Sequence, residues 1–253
     1  MKRSIKSLED FSLKATDGEI GEVKEFYFDD QTWTIRYLVV STGSWLSERK
    51  VLISPKALLK PDWDNETFPV NLTKDQIKNS PDIDTDKPVS RQHEEELNAY
   101  YSWDPYWGGE PHGAGIFGAM PSELYESEIG EQENVEMGED FNQGNNDPHL
   151  QSTTAIKGYK IHATDGEIGE VVDYIVDDNG WKIDYLVVDA GDWLNSKKVL
   201  LPTNWISQVK WENQIVIVNV TTEQVENGPE YNSSAPVNEV EEKKIYDYYG
   251  RRK

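Results

Sequence analysis

Cysteine is absent from this chain, and with it disulfides, cysteine-based zinc sites and thiol catalysis. Histidine is scarce: His93, His112, His149 and His162 are scattered along 253 positions. A histidine metal centre or a Ser-His-Asp triad needs a clustering that this spacing does not supply. No run reaches the ~18 apolar residues of a membrane-spanning helix. The start, "MKRSIKSLED", carries bases with no apolar stretch behind them, so it does not read as a secretory leader. Positive charge is also short. Lys plus Arg is 25 against 47 Asp plus Glu, a net charge of −22. Such an anion is repelled by nucleic-acid backbones and by the acidic membrane leaflet. The expectation is a cytoplasmic protein with no metal, cofactor or nucleic acid, reaching a membrane only through a partner.

What the chain does have is a repeat. "ATDGEIGE" stands at residues 15–22 and again at 163–170, and the offset of 148 aligns far more than these eight residues. Asp29-Asp30 falls on Asp177-Asp178, Trp33 on Trp181, and "YLVV" at 37–40 on 185–188. Gly43, Trp45 and Leu46 match Gly191, Trp193 and Leu194, and "KVL" at 50–52 matches 198–200. From Phe11 to Pro81 there are 31 identities in 71 positions without a gap. The register persists to Pro88-Val89 on Pro236-Val237 and Tyr100-Tyr101 on Tyr248-Tyr249. This is a tandem duplication.

Each copy reads as all-β. Phe11, Leu13 and Ala15 alternate with polar residues before a tight turn at Asp17-Gly18. A second strand runs through "EVKEFYFD" to a turn at "DDQT", or "DDNG" in the second copy, where Asn179-Gly180 predicts a hairpin with φ above zero. Apolar residues on both faces of "YLVV" predict a strand covered on both sides. Thr73 to Gln76 and Thr221 to Gln224 fit capping boxes opening one or two helical turns. A domain of this size has no spare room for an internal active site.

The repeated acids, among them Asp17, Asp165, Glu19, Glu167, Glu22 and Glu170, have two readings. Paired carboxylates bind calcium or act as acid and base. Asp at predicted turns instead bonds its own backbone, and that reading is favoured. Gly18, Gly21, Gly166 and Gly169 are read as turn residues. "DGEIG" is no phosphate loop, because it precedes a strand and lacks the lysine.

The pattern D-G-x-I-G-x-V, D-D, W-x-I-x-Y-L-V-V, G-x-W-L and K-V-L resembles the PRC-barrel family, over residues 8–83 and 156–231. That family takes its name from the cytoplasmic domain of the photosynthetic reaction-centre H subunit. The resemblance implies two small β-barrels, each with a short C-terminal helical turn, joined by a long acidic linker. It also implies a non-enzymatic adaptor, of a kind often placed in stress responses, with no catalytic residues to carry over. An accessory subunit of an electron-transfer complex is the alternative, and a ligand-binding or hydrolytic barrel ranks last.

The expected division is a first domain at 1–91, a linker at 92–151 and a second domain at 152–253. From Gln92 to Ile156 there is no Lys or Arg and there are 14 acids. Residues 108–149, rich in Gly, Glu, Asn and Pro, fit a self-repelling spacer or a recruiting segment for a basic partner. Aromatic residues interrupt that composition at Tyr100, Tyr101, Trp103, Tyr106 and Trp107, and their counterpart after the second copy is Tyr246, Tyr248 and Tyr249. These elements either cap the barrels, engage a partner protein, or cap a second copy of the chain in a homodimer.

Overall fold

The computed structural model describes residues 1–46, 49–81, 89, 91–107, 150–191, 197–234 and 236–250. The acidic segment 108–149, Pro88, Trp193 and Leu194 lie outside the described residues, as do His112 and His149. In the first repeat, β1 (Lys2–Ser4) leads through a 3-10 turn to β2 (Ser12–Ala15), β3 (Gly18–Asp29), β4 (Thr34–Ser41), β5 (Lys50–Ile53) and β6 (Thr67–Pro69). Helices α1 (Lys74–Lys78) and α2 (Arg91–Tyr101) follow. The second repeat runs β7 (Leu150–Ser152), α3 (Thr153–Ile156), β8 (Lys160–His162), β9 (Glu167–Asp177), β10 (Lys182–Asp189), β11 (Lys198–Pro202), β12 (Ile206–Lys210) and β13 (Ile215–Val218), then α4 (Thr222–Glu226) and α5 (Glu239–Tyr248).

The hairpin at Asp17 forms, with β2 antiparallel to β3 and Ala15 opposite Gly18. "YLVV" is buried on both faces in both copies. Among the described residues the expected barrels are not closed. The thirteen strands of the described residues make one open path, β12-β13-β8-β9-β10-β4-β3-β2-β6, with β1, β5, β7 and β11 attached beside it. Closure would need ladders from β5 to β6 and from β11 to β12. Instead 3-10 turns at Pro55–Ala57 and Thr203–Trp205 make those connections, and Pro55 and Pro202 there have no N–H to donate.

The repeats are knitted together. β2 has four residues and β3 twelve, so β2 covers only part of β3's outer edge. Bare edge groups need partners. β7, from the second repeat, supplies them: Tyr27, Phe28 and Asp29 pair with Ser152, Gln151 and Leu150. Reciprocally β1 lies on β9, with Lys2, Arg3 and Ser4 opposite Asp177, Val176 and Ile175. Lys2 and Leu150 are equivalent under the offset, so this is a symmetric exchange of donor strands. Between them β4 meets β10, where Ile35 N–H donates to the Trp181 carbonyl and Ile183 N–H to the Trp33 carbonyl, each at 2.7 Å. Both repeats' strands accordingly share one compact unit, Met1–Pro88 with His149–Lys253, while Val89–Pro148 forms another.

The expected φ above zero at Asn179-Gly180 is not there. Trp33 and Trp181 take the left-handed conformation, at φ 56° and 54°. Each loop closes by a bond from the Trp amide to the Asp29 or Asp177 carbonyl, at 2.8 and 2.7 Å. Asp29 and Asp177 carboxylates also accept amides two residues on, as aspartates at turns do. A left-handed tryptophan costs about 1–2 kcal/mol. Burial offsets it: the Trp181 ring sits 6.3 Å from Phe26 and 5.8 Å from Phe68 of the other repeat. Burying one such ring contributes roughly 1.5–3 kcal/mol. Phe28 stacks on Trp33 at 5.2 Å and leans on Tyr174 at 6.4 Å, so the two repeats share one aromatic core.

Candidate interaction surface

The repeated octapeptide is a structural tie. The Asp17 carboxylate accepts the Lys74 amide at 2.8 Å, and Asp165 accepts the Thr222 amide at 2.8 Å, so each caps the short helix of its own repeat. Thr73 and Thr221 complete the capping boxes. Among the described residues no three His, Cys, Asp or Glu are grouped so as to hold a metal ion. His162, on β8 between β13 and β9, lies 4.0 Å from Glu167, and both side chains are partly exposed.

The tyrosine pairs stand on helices, Tyr100 and Tyr101 on α2 and Tyr248 at the end of α5 with Tyr249 beside it. α5 opens on Asn238, whose side chain accepts two amides in a capping box with Glu241. Tyr246 and Tyr249 meet Trp205 edge-on at 5.9 and 4.7 Å. Glu242, 3% exposed, takes the Tyr185 hydroxyl at 2.7 Å and the Lys2 ammonium at 3.0 Å. Lys2 also bonds Asp184. Burial disfavours the charge on Lys2. The hydrogen bonds and attraction of Asp184 and Glu242 outweigh that burial and hold its pKa above the ordinary amine value. Burial, with Glu242 beside it, pushes the Tyr185 hydroxyl up as well.

α2 occupies the equivalent register, and both helices end on a left-handed residue, Ser102 at φ 57° and Gly250 at φ 61°. Its aromatic residues form a cluster of their own. Tyr101 stacks on Trp103 at 4.3 Å, the Tyr106 hydroxyl donates to Glu94 at 2.9 Å, and the Arg91 guanidinium lies 4.1 Å from the Trp107 ring. The two tyrosine pairs match: Tyr100 on Tyr101 and Tyr248 on Tyr249, both at 4.9 Å and nearly perpendicular. Tyr100 and Tyr248 are the exposed members, at 39% and 43%.

Sequence reasoning missed Lys2, Asp184, Glu242 and Trp205. The signal available was the same offset carried outward, which puts Ser4 on Ser152 and Glu94 on Glu242.

Beside β1 an open cleft of about 720 Å³ is lined by Arg3, Lys6, Asp173, Asp189, Lys198 and Tyr231, among others. Asp173 anchors its floor, accepting the Ser4 hydroxyl and the Lys6 amide. Burial holds its carboxyl above the ordinary value of 3.8, despite these hydrogen bonds. A carboxyl raised in this way adds full stability only below its unfolded pKa and loses it as pH rises through the folded value. At neutral pH its charge is therefore a cost. Asp173→Asn keeps an acceptor for the amide and a group to meet Ser4, and is expected to raise Tm at pH 7 by about 2–4 °C. The gain should shrink towards pH 4. A calorimetric Tm below the wild type at pH 7 would contradict this assignment.

A model of the PRC-barrel domain matches residues 5–77 and 152–225, more than half of the chain and both repeats. The chain belongs to the PRC-barrel family. The match begins beyond β1 and, in the second repeat, within β7, so the donor strands lie at the margin of the PRC-barrel unit. No curated protein matches the chain. No helix among the described residues is long and apolar enough to cross a membrane.

Proposed function

We propose that this tandem PRC-barrel protein is a non-enzymatic cytoplasmic adaptor that binds a partner protein through Tyr100 and Tyr248. The observation that supports this reading is their equivalence. Two exposed tyrosines stand at the same position after each repeat, each braced edge-on by the next tyrosine. Braced aromatic side chains lose little entropy on binding and are enriched among interface hot spots. The interior is occupied by Phe26, Tyr37, Tyr174 and Tyr185, all fully buried, so recognition falls to the surface. Duplication adds avidity for a target with two sites.

The test is cross-linked capture by the tagged chain, comparing wild type with Tyr100→Ala plus Tyr248→Ala. The captured protein should be lost while Tm moves by no more than about 2 °C, as for exposed positions. Tyr249→Ala, which removes a ring seated on Trp205, should instead lower Tm by several times that amount. Undiminished capture by the folded double variant would overturn the reading.

A further inference from the structure

The duplication makes β3 and β9 related acceptors, so either donor strand has two edges on which it could lie. The serine contact is shared, Ser152 on Glu25 as Ser4 on Asp173, and the charges around it differ. On β9, Lys2 meets Asp184 and Glu242, Arg3 meets Asp178 at 3.1 Å, and Ser4 meets Asp173. The Arg3 guanidinium also stacks 3.6 Å from the Trp63 ring of its own repeat. Under the offset, Asp184 corresponds to Arg36, which lies 3.5 Å from Asp29. Lys2 and Arg3 correspond to Leu150 and Gln151. The first repeat's donor on a first-repeat acceptor would set Lys2 against Arg36. The second repeat's donor on a second-repeat acceptor would leave Asp178 and Asp184 without these cations. Asp30 and Glu94 keep the acids of Asp178 and Glu242, so the discrimination rests on Arg36 in place of Asp184 and on the bases Lys2 and Arg3 in the donor.

We infer that the edge of β9 is a receptor selective for the basic donor strand of a first repeat. The two repeats form a charge-coded heterologous pair whose association does not depend on the connecting segment. Like-charge contact disfavours the wrong partner more effectively than attraction alone selects the right one. The partner that this surface fits is residues 2–7 of this chain, supplied in cis or by a second copy.

To test this, a site-specific protease sequence is inserted between Gly130 and Glu131 of the full chain, and the folded protein is cleaved. The fragments should remain together one to one in size-exclusion chromatography. When isotopically light and heavy preparations are mixed, native mass spectrometry should show exchange between first and second fragments only. Separated fragments, or pairs of like fragments, would overturn the inference. Asp184→Lys in the cleaved protein should weaken association about tenfold or more. Adding Lys2→Glu should restore most of it, because the new ammonium faces both the new carboxylate and Glu242. A folded double variant that binds no better than Asp184→Lys alone would refute the charge code. Should Asp184→Lys not fold, the exchange experiment on the unsubstituted chain decides.

Discussion

Gly21→Ala is expected to remove most of the stability of the fold, by about 4 kcal/mol or more. A Cβ at Gly21 would lie 1.8 Å from the Ser41 carbonyl oxygen and 2.8 Å from its carbon. Gly169 is in the same position, 1.9 Å from the Asp189 carbonyl oxygen. These are backbone atoms of the adjoining central strands and cannot rotate away. Relief would require β3 to part from β4, breaking the ladder that joins Glu22 to Ser41 and Val23 to Val40. With a typical total of ~5–15 kcal/mol, such a loss unfolds much of the population at growth temperature. Gly18→Ala is the informative control. Its Cβ would meet only the Lys74 side chain at 3.5 Å, and the cost comes from φ 146°, about 1–3 kcal/mol. Chemical denaturation of both variants checks the order. If Gly21→Ala were milder than Gly18→Ala, the close approach of β3 to β4 would be wrong.

Lys2→Met is expected to cost about 3 kcal/mol, although it changes one side chain in a three-residue strand. The lysine side chain is 13% exposed and that of Glu242 is 4% exposed, so its loss leaves a buried carboxylate without this cation. A surface lysine such as Lys6 should change stability by no more than about 0.5 kcal/mol when replaced in the same way. Adding Glu242→Gln to Lys2→Met should recover part of the loss. The pH dependence follows from the raised pKa of Lys2. Its stabilisation is complete below the ordinary amine value of 10.5 and is lost as pH rises beyond it. Wild type and Lys2→Met should therefore converge in Tm at strongly alkaline pH. A gap that is constant from pH 8 upwards would show that Lys2 acts through packing rather than charge.

Much of the fold was legible in the residues, because its signals are local and occur twice. Thr73 with Gln76, and Thr221 with Gln224, announce their helices through adjacent chemistry, and "YLVV" announces a buried strand. Trp33 and Trp181 were not legible as turn residues. Intrinsic preference points to Asn179-Gly180, but the core rewards placing a large ring where it reaches the other repeat. β1 and β7 escaped notice because three residues carry no readable periodicity, and their partners Val176 and Phe28 are remote in sequence. Glu242 was not legible as a buried residue, since its burial depends on a lysine 240 positions earlier. In the sequence the tyrosines read as one group. Only the helical register separates Tyr249, seated on Trp205, from exposed Tyr248.

Cross-strand nuclear Overhauser contacts in the full, isotope-labelled chain test the exchange of donor strands most directly. Contacts between the Arg3 and Val176 backbones, and between those of Gln151 and Phe28, are the result expected from the ladders. Contacts of Arg3 with Phe28, and of Gln151 with Val176, would mean that each repeat keeps its own strand, and would contradict the account.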